Sequence, residues 1–204
     1  MSRLLLVRHG ATELNRSLRF AGHSNIRLSA DGCKQVERLR ERLAGERIDA
    51  VYSSDLRRAL ATVEGICSGR GINVAACPEL REIDYGRCEG MTFQEIGELY
   101  PGVAEQWATL SPDLAFPNGE SFVGFTERTG AFLNRLEKHS QSETALIVSH
   151  GGTLQVLLCL LLRLGMEHWW QLRLDTGSLS VVETYPQGAI INLLNDTSHL
   201  QGDA

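Results

Sequence analysis

Two histidines occupy the same place in two similar stretches of the sequence. His9 follows the run Leu4–Arg8, which is apolar up to its last residue, and a glycine comes next. His150 follows the largely apolar run Thr144–Ser149 and precedes two glycines. Short apolar runs without alternation are typical of strands buried on both faces, and ligands of open α/β sheets bind beyond the carboxyl ends of the strands. Both imidazoles are therefore predicted at the rim of one ligand crevice.

These residue types suit phosphoryl transfer through a covalent phosphohistidine. A neutral imidazole can attack phosphorus, and the charge on the phosphoryl oxygens must then be held by preorganised donors. Arginine is fitted to that task because it stays charged and can bond to two oxygens at once. We hypothesise that His9 is the nucleophile and that Arg8, Arg58 and His150 hold the phosphoryl oxygens, with His150 protonated when phosphate is bound.

A leaving alkoxide needs a proton, and hydrolysis of a phosphohistidine needs a base that activates water. One carboxyl group can serve both steps. Glu82 precedes the segment predicted to cover the sheet edge, and it is our candidate for this role. A lone histidine or glutamate is more often structural or solvated, so the catalytic interpretation depends on the repetition of the strand-His-Gly pattern.

Arg58 is predicted in the first turn of a helix that Ser54 or Asp55 caps. Arg57 lies beside it, and cations at this end of a helix oppose the helix dipole. The placement favours an anion nearby. The alternative is a pair of solvated arginines on an exposed helix face.

The remaining pattern predicts one α/β domain over residues 1–204. Strands and helices alternate up to Pro78, which indicates a parallel sheet with right-handed crossovers. The expected architecture is a three-layer α/β/α fold with a mostly parallel central sheet, a C-terminal edge hairpin and a helical cap insertion at about residues 84–127. The predicted strands are 4–8, 48–53, 72–76, 144–149, 177–183 and 189–194, and the main helices are 30–44, 56–66, 121–138 and 154–164.

The predicted cap is strongly acidic. It carries eight acidic residues and one basic residue, Arg87, so its net charge is −7, against −5 for the whole chain. Such a cap is poorly suited to a substrate with a second strong negative charge, although Arg16, Arg19 and Arg27 could bind one. Its aromatic residues are compatible with a bulky monophosphate that bears an apolar base.

Composition restricts the other possibilities. The mild net charge of −5 argues against nucleic acid as a partner, and no apolar run reaches the ~20 residues of a membrane span. The five cysteines include no Cys-x-x-Cys pair, which favours free thiols in a reducing compartment, and we expect a cytoplasmic protein. No histidine spacing suggests a metal site. Trp169 and Trp170 could pack on the hairpin or on a second subunit, which would make a homodimer.

The motifs resemble the signature sequences of the histidine phosphatase superfamily, the phosphoglycerate-mutase-like enzymes. The resemblance implies a phosphohistidine enzyme that needs no metal or cofactor and in which Arg58, rather than Arg57, binds phosphate. It also implies that Asn15 contacts phosphate. The matching stretches follow the family's order along nearly the whole chain and are Leu6–Asn15, Ser53–Ala59, Leu80–Gly86, Pro117–Ser121 and Ser149–Gly152.

Three more residues are candidates for phosphate or substrate binding. Gly151 lets the backbone approach a ligand closely, and Arg19 and Gly22 lie in the loop after the first strand. Asn25 and Cys88 depart from the family pattern, in which Asp and Trp are usual at these places. Both lie near the predicted region of substrate choice.

Within the superfamily the chain looks most like the bacterial α-ribazole-5′-phosphate phosphatases of cobalamin biosynthesis. This resemblance implies hydrolysis of a small-molecule phosphate monoester. Two alternatives stay open at this point. A phosphoglycerate mutase would have to retain a bisphosphate, which the acidic cap disfavours. A catalytically silent member would bind a phosphorylated ligand or a protein, which the complete set of proposed catalytic residues disfavours.

Overall fold

The computed structural model describes residues 2–136, 139 and 142–201. Within them, one six-stranded sheet runs through the molecule in the order β3-β2-β4-β1-β5-β6. The strands are β1 (Ser2–Arg8), β2 (Ala50–Ser53), β3 (Val74–Ala76), β4 (Thr144–Ser149), β5 (Leu179–Tyr185) and β6 (Gly188–Asp196). The α-helices are α1 (Glu13–Arg16), α2 (Ala30–Arg42), α3 (Arg57–Ile66), α4 (Phe93–Leu99), α5 (Pro101–Ala108), α6 (Phe122–Ala131), α7 (Leu133–Leu136) and α8 (Gly151–Leu162).

The first four strands of the sheet order pair in parallel, and the last two are antiparallel. Strand β4 pairs with β1 and β2 in parallel, and β2 pairs with β3 in parallel. The C-terminal hairpin β5-β6 joins the sheet through the antiparallel pairing of β5 with β1. The predicted mostly parallel sheet with an edge hairpin is therefore confirmed.

The sheet is covered on both faces. Alternate side chains of β1 point to opposite faces, as the strand geometry requires. Leu5 and Val7 belong to the core that the sheet forms with helices α2 and α3. Leu4 and Leu6 belong to the core on the other face, which helix α8 and Phe132 complete. These two cores confirm the expected three layers.

The segment between β3 and β4 contains the helical cap. Its helices α4 and α5, together with the start of α6, enclose a third apolar core. That core includes Tyr85, Phe116 and Phe125 and reaches Val156 on helix α8. The cap is thus seated on the helix that begins directly after His150.

The predicted N-cap of the helix that carries Arg58 was wrong. Neither Ser54 nor Asp55 is the N-cap of α3, which begins at Arg57 after Leu56. The Ser54 hydroxyl lies at hydrogen-bond distance, 2.8 Å, from His150 Nε2, and the Asp55 carboxylate forms a salt bridge with Arg81.

The helix predicted over 121–138 is interrupted at Phe132, where the fully buried side chain packs into the core. Lys138 lies outside the described residues. Trp169 packs on the cap, with its ring 5.8 Å from that of Trp107. The cysteines are all free. In the described part of the chain, no helix is long and apolar enough to cross a bilayer.

Candidate active site

His9 and His150 meet because their strands are neighbours in register. Arg8 at the end of β1 pairs with Ser149 at the end of β4, so the next residue of each strand leaves the sheet at the same level. The imidazole centroids lie 5.0 Å apart. Both side chains are buried, at 3% and 0% exposure.

The hydrogen bonds of His9 fix its tautomer. Its Nδ1 lies 2.7 Å from the backbone carbonyl of Gly10, and a carbonyl oxygen can only accept. Nδ1 therefore carries the proton, and Nε2 has a free lone pair. Burial lowers the pKa of His9 well below its ordinary value, and the charges of Arg58 and Arg8 lower it further. The imidazole is consequently neutral and nucleophilic at Nε2.

Arg58 lies against that lone pair. Its Nε–H donates to His9 Nε2 at 3.2 Å, and its other nitrogens donate to the carbonyls of Ala21, Gly22 and Ser24 at 2.7–2.9 Å. Burial lowers the pKa of Arg58 to about 10, so the guanidinium stays charged at neutral pH. Three loop carbonyls thus hold a buried cation beside His9 Nε2.

Glu89 organises the loop that holds Arg58. Its carboxylate accepts from the backbone N–H of Gly22 at 3.2 Å, of His23 at 2.7 Å and of Ser24 at 3.3 Å. The N–H of Gly22 therefore binds Glu89 and its carbonyl binds Arg58, so this glycine positions Arg58. Sequence reasoning assigned no function to Glu89.

Arg8 supplies the second cation. Its Nη1 donates to the Leu174 carbonyl at 2.6 Å, and its buried Nε has no partner among the described residues. A Cβ added to Gly151 would lie 3.3 Å from Arg8 Cζ, tighter than ordinary van der Waals contact. Gly151 therefore provides space for the guanidinium.

His150 has one bonded ring nitrogen and one without a partner in the described residues. Its Nε2 lies 2.8 Å from the Ser54 hydroxyl, which already accepts from the Leu56 N–H at 3.3 Å. The buried Nδ1 has no partner in the described part of the chain. Burial, followed by the charge of Arg58, lowers the pKa of His150 well below its usual value. The Ser54 hydroxyl can donate to Nε2 or accept from it, so the neutral ring can carry its proton on either nitrogen. Protonation of His150 in a phosphate complex stays a prediction.

Glu82 faces the same space from the cap side. Its carboxylate accepts from the Ile83 N–H at 3.1 Å, from the Gly152 N–H at 3.0 Å and from the Thr153 hydroxyl at 3.4 Å. Gly152 lies in the first turn of α8, whose dipole favours an anion. A Cβ on Gly152 would lie only 2.6 Å from Glu82 Oε1, so the carboxyl position depends on this glycine.

Asn15 contributes an amide donor. Its Oδ1 accepts from the Thr12 N–H at 3.0 Å and from the Thr12 hydroxyl at 2.8 Å, which identifies the other amide atom as Nδ2. Asn15 lines the same cavity as Arg8, His9 and Glu82, and the volume of that cavity is about 490 Å³.

The part of the cavity away from His9 is largely aromatic, whereas the part around His9 is polar and charged. Phe20, Tyr85 and Trp107 form an aromatic wall in which Phe20 contacts both other rings, at centroid distances of 4.8 and 5.3 Å. Arg19 also lines the cavity, but its guanidinium donates to the Glu95 carboxylate at 2.7 and 3.2 Å. Asp175 adds a carboxylate that sequence reasoning missed.

Other predicted groups do not join the site. Arg16 lies 3.8 Å from both Glu13 and Asp31 and is largely exposed. Asn25 accepts from the Arg57 N–H at 2.9 Å and so satisfies the start of helix α3. Among the described residues, no three His, Cys, Asp or Glu side chains come together as a set of metal ligands.

The sequence model of the histidine phosphatase superfamily (branch 1) matches residues 4–197. The chain belongs to the histidine phosphatase superfamily. It is 33% identical to the adenosylcobalamin/alpha-ribazole phosphatase of Escherichia coli K12 over 197 residues, covering 95% of each chain. It is also 32% identical to phosphoserine phosphatase 1 of Hydrogenobacter thermophilus, covering 98% of this chain and 95% of the relative.

The fold agrees with this membership. A crystal structure of a putative alpha-ribazole-5′-P phosphatase from Escherichia coli superposes with a TM-score of 0.90 at 31% identity, covering 96% of each chain. This member of the superfamily is a phosphatase, and the enzymes that it resembles act on small-molecule phosphate esters.

Proposed function

We propose that His9 is the phosphoryl acceptor of a phosphomonoesterase and that Glu82 is its acid and base. One observation carries the proposal. His9 presents an unprotonated Nε2 beside Arg58, Arg8 and Asn15 line the same cavity, and the His150 ring lies 5.0 Å from that of His9. A nucleophile that is neutral and surrounded by donors for an anion is what in-line attack on phosphorus requires.

The first step transfers the phosphoryl group to the enzyme. The lone pair of His9 Nε2 forms a bond to phosphorus as the bond from phosphorus to the ester oxygen breaks. The carboxylic acid form of Glu82 gives its proton to the departing oxygen, so an alcohol leaves. Arg58 turns its Nε–H from His9 Nε2 to a phosphoryl oxygen, and Nδ1 of His9 keeps its hydrogen bond to the Gly10 carbonyl.

The second step releases phosphate. The Glu82 carboxylate takes a proton from a water molecule whose oxygen attacks phosphorus, and the bond from phosphorus to His9 Nε2 breaks. This returns neutral His9 and protonated Glu82. The N–H groups of Ile83 and Gly152 hold the carboxyl group in one orientation through both steps.

The cavity favours a leaving group with no second anion. Of the described cations that line it, Arg8 belongs to the phosphoryl site and Arg19 is neutralised by Glu95. The hydrogen bond from Asn195 keeps the pKa of Asp175 below its ordinary value, so this carboxylate is an acceptor for a hydroxyl group. Together with the aromatic wall, this arrangement supports a hydroxylated ring compound.

α-Ribazole 5′-phosphate fits that description, because it has ribose hydroxyls and an apolar aromatic base. The name of the Escherichia coli relative supports the same substrate. Phosphoserine, which the Hydrogenobacter relative's name suggests, carries a carboxylate for which no unpaired cation is described in the cavity.

The substrate is tested by steady-state assays of the purified enzyme on α-ribazole 5′-phosphate, phosphoserine and 3-phosphoglycerate. We expect the highest kcat/KM with α-ribazole 5′-phosphate. A higher kcat/KM with phosphoserine would contradict the substrate assignment. Conversion of 3-phosphoglycerate to its isomer faster than to free phosphate, with 2,3-bisphosphoglycerate present, would establish a mutase instead.

Glu82→Gln tests the acid role. The variant should lower kcat/KM for an alkyl phosphate by roughly 10²-fold or more, because a poor leaving group needs the proton. p-Nitrophenyl phosphate should lose much less, since its phenolate leaves unprotonated. Equal losses on both substrates would remove Glu82 from the acid role.

A further inference from the structure

Arg128 lies on helix α6, outside the cavity, yet its side chain hydrogen-bonds to the backbone around Glu82. Its Nη1 donates to the carbonyls of Glu79 at 3.0 Å and Arg81 at 2.9 Å. Its Nη2 donates to the carbonyl of Glu82 itself at 3.1 Å. Nη1 also donates to the Pro78 carbonyl at 3.4 Å, so one guanidinium spans four carbonyls in the five residues that end at the proposed acid and base.

A carboxylate holds this guanidinium in place. Glu120 accepts from Arg128 Nε at 2.7 Å and from Nη2 at 2.8 Å, a bidentate pair. The same carboxylate accepts from the Asp84 N–H at 2.9 Å. Burial opposes its charge, but these hydrogen bonds keep the pKa of Glu120 below its ordinary value. Glu120 thus links Arg128 to the backbone at Asp84, two residues after Glu82.

The segment needs such a partner because it lies outside the regular secondary structure. Residues 81–85 form neither helix nor strand, so their backbone groups have no ladder to bond to. The Arg81 carbonyl also accepts from the Thr153 hydroxyl at 2.8 Å, and the Glu82 carbonyl lies 3.0 Å from His23 Nε2. Arg128 is the group that joins these carbonyls to one rigid helix.

We propose that Arg128 is a positioning residue for Glu82. The guanidinium fixes the backbone carbonyl of Glu82, while the N–H of Gly152 fixes its carboxyl group. Loss of the guanidinium frees the peptide units around Glu82 to rotate and moves the carboxyl group away from the leaving oxygen. This inference rests on the proposed acid role of Glu82.

The test compares Arg128→Ala and Arg128→Lys with Arg135→Ala as the matched control. Arg135 binds the Glu79 carboxylate at 2.7 Å and, among the described residues, makes no hydrogen bond to the carbonyls of residues 78–82. Its replacement by alanine therefore removes an ion pair without releasing the backbone. We measure kcat/KM for an alkyl phosphate and for p-nitrophenyl phosphate, because this ratio reports the step in which the leaving group departs. Inhibition by inorganic phosphate and thermal unfolding are measured in parallel.

Arg128→Ala should lower kcat/KM for the alkyl phosphate by about 10²-fold, the cost of a misplaced catalytic group, with a much smaller loss on the aryl phosphate. Arg128→Lys keeps the charge and some donors, so it should retain more of the activity, and it carries the test if the alanine variant does not fold. Phosphate inhibition should not change, because the phosphoryl site is untouched. Arg135→Ala should behave as the wild type on both substrates.

The Glu82→Gln variant separates the two proposals. If it shows the leaving-group-dependent loss and both Arg128 variants do not, the positioning role is refuted and the acid role stands. If Glu82→Gln loses both substrates equally, the acid role fails first. In the double variant, Arg128→Lys should add little to the loss of Glu82→Gln, since the two residues act as a unit. Additive losses would also overturn the positioning role.

Discussion

The neutral state of the two site histidines has a measurable consequence for stability. Burial depresses the pKa values of His9 and His150 in the folded protein well below the ordinary value of 6.5. The unfolded chain therefore binds protons at both positions below pH 6.5, and the folded chain does not. Stability is fully present above the unfolded pKa and falls as the pH drops below it.

The size of the effect follows from the linkage relation. Between about pH 7.5 and pH 5.5, a histidine that titrates only in the unfolded state changes the free energy of unfolding by roughly 1.4 kcal/mol. His9 and His150 together should contribute a loss of about 2.7 kcal/mol. The carboxyl groups titrate mainly below this window, since their ordinary pKa values are 3.8 and 4.5.

The assay is urea unfolding at the two pH values in phosphate-free buffer, for the wild type, His9→Gln, His150→Gln and the double variant. Each single variant should remove about half of the two-histidine loss. His168→Gln is the control, because its side chain is 46% exposed, and it should leave the acid loss unchanged. Burial also lowers the pKa of His199, which adds a loss that all these variants share.

One result would refute the reasoning. If the double variant loses as much stability between the two pH values as the wild type, then His9 and His150 do not stay neutral in the folded protein. The proposed nucleophile would then be a cation in the resting enzyme, and attack on phosphorus would need a prior deprotonation.

Two substitutions test the geometry around the phosphoryl group. Gly152→Ala would place a Cβ 2.6 Å from Glu82 Oε1, so kcat/KM for an alkyl phosphate should fall by about 10²-fold; unchanged kcat/KM would show that the carboxyl position is not critical. Asn15→Ala removes a donor to a charged ligand, so the inhibition constant of inorganic phosphate should rise by roughly tenfold or more. An unchanged inhibition constant would exclude Asn15 from the phosphate site.

The central part of the molecule could be predicted because its signals are local and strong. Strands β1 and β4 are continuous apolar runs, and parallel pairing brings the residues that follow them to one edge. The meeting of His9 and His150 follows from those two facts alone. The edge hairpin could be predicted equally well, since its turn and flanking strands are adjacent in the chain.

The supports of the site could not be predicted in the same way. Glu89 braces a loop 65–67 residues away, and Arg128 binds carbonyls 46–49 residues away. Such contacts depend on how the cap packs against the sheet, and the hydrophobic periodicity of the sequence does not predict that packing. Ser54 failed as a predicted helix cap because α3 begins only at Arg57; its hydroxyl accepts from the Leu56 N–H and lies 2.8 Å from Nε2 of the distant His150.

Covalent labelling tests the central claim most directly. The Glu82→Gln variant, in which hydrolysis of the intermediate should be slow, is mixed with p-nitrophenyl phosphate labelled at phosphorus, whose leaving group needs no proton from Glu82. The reaction is quenched under alkaline conditions that preserve phosphohistidine. The account predicts an acid-labile, alkali-stable label on the peptide that contains His9, and no label in Glu82→Gln combined with His9→Ala. A label on another residue, or turnover by His9→Ala at the wild-type rate, would contradict it.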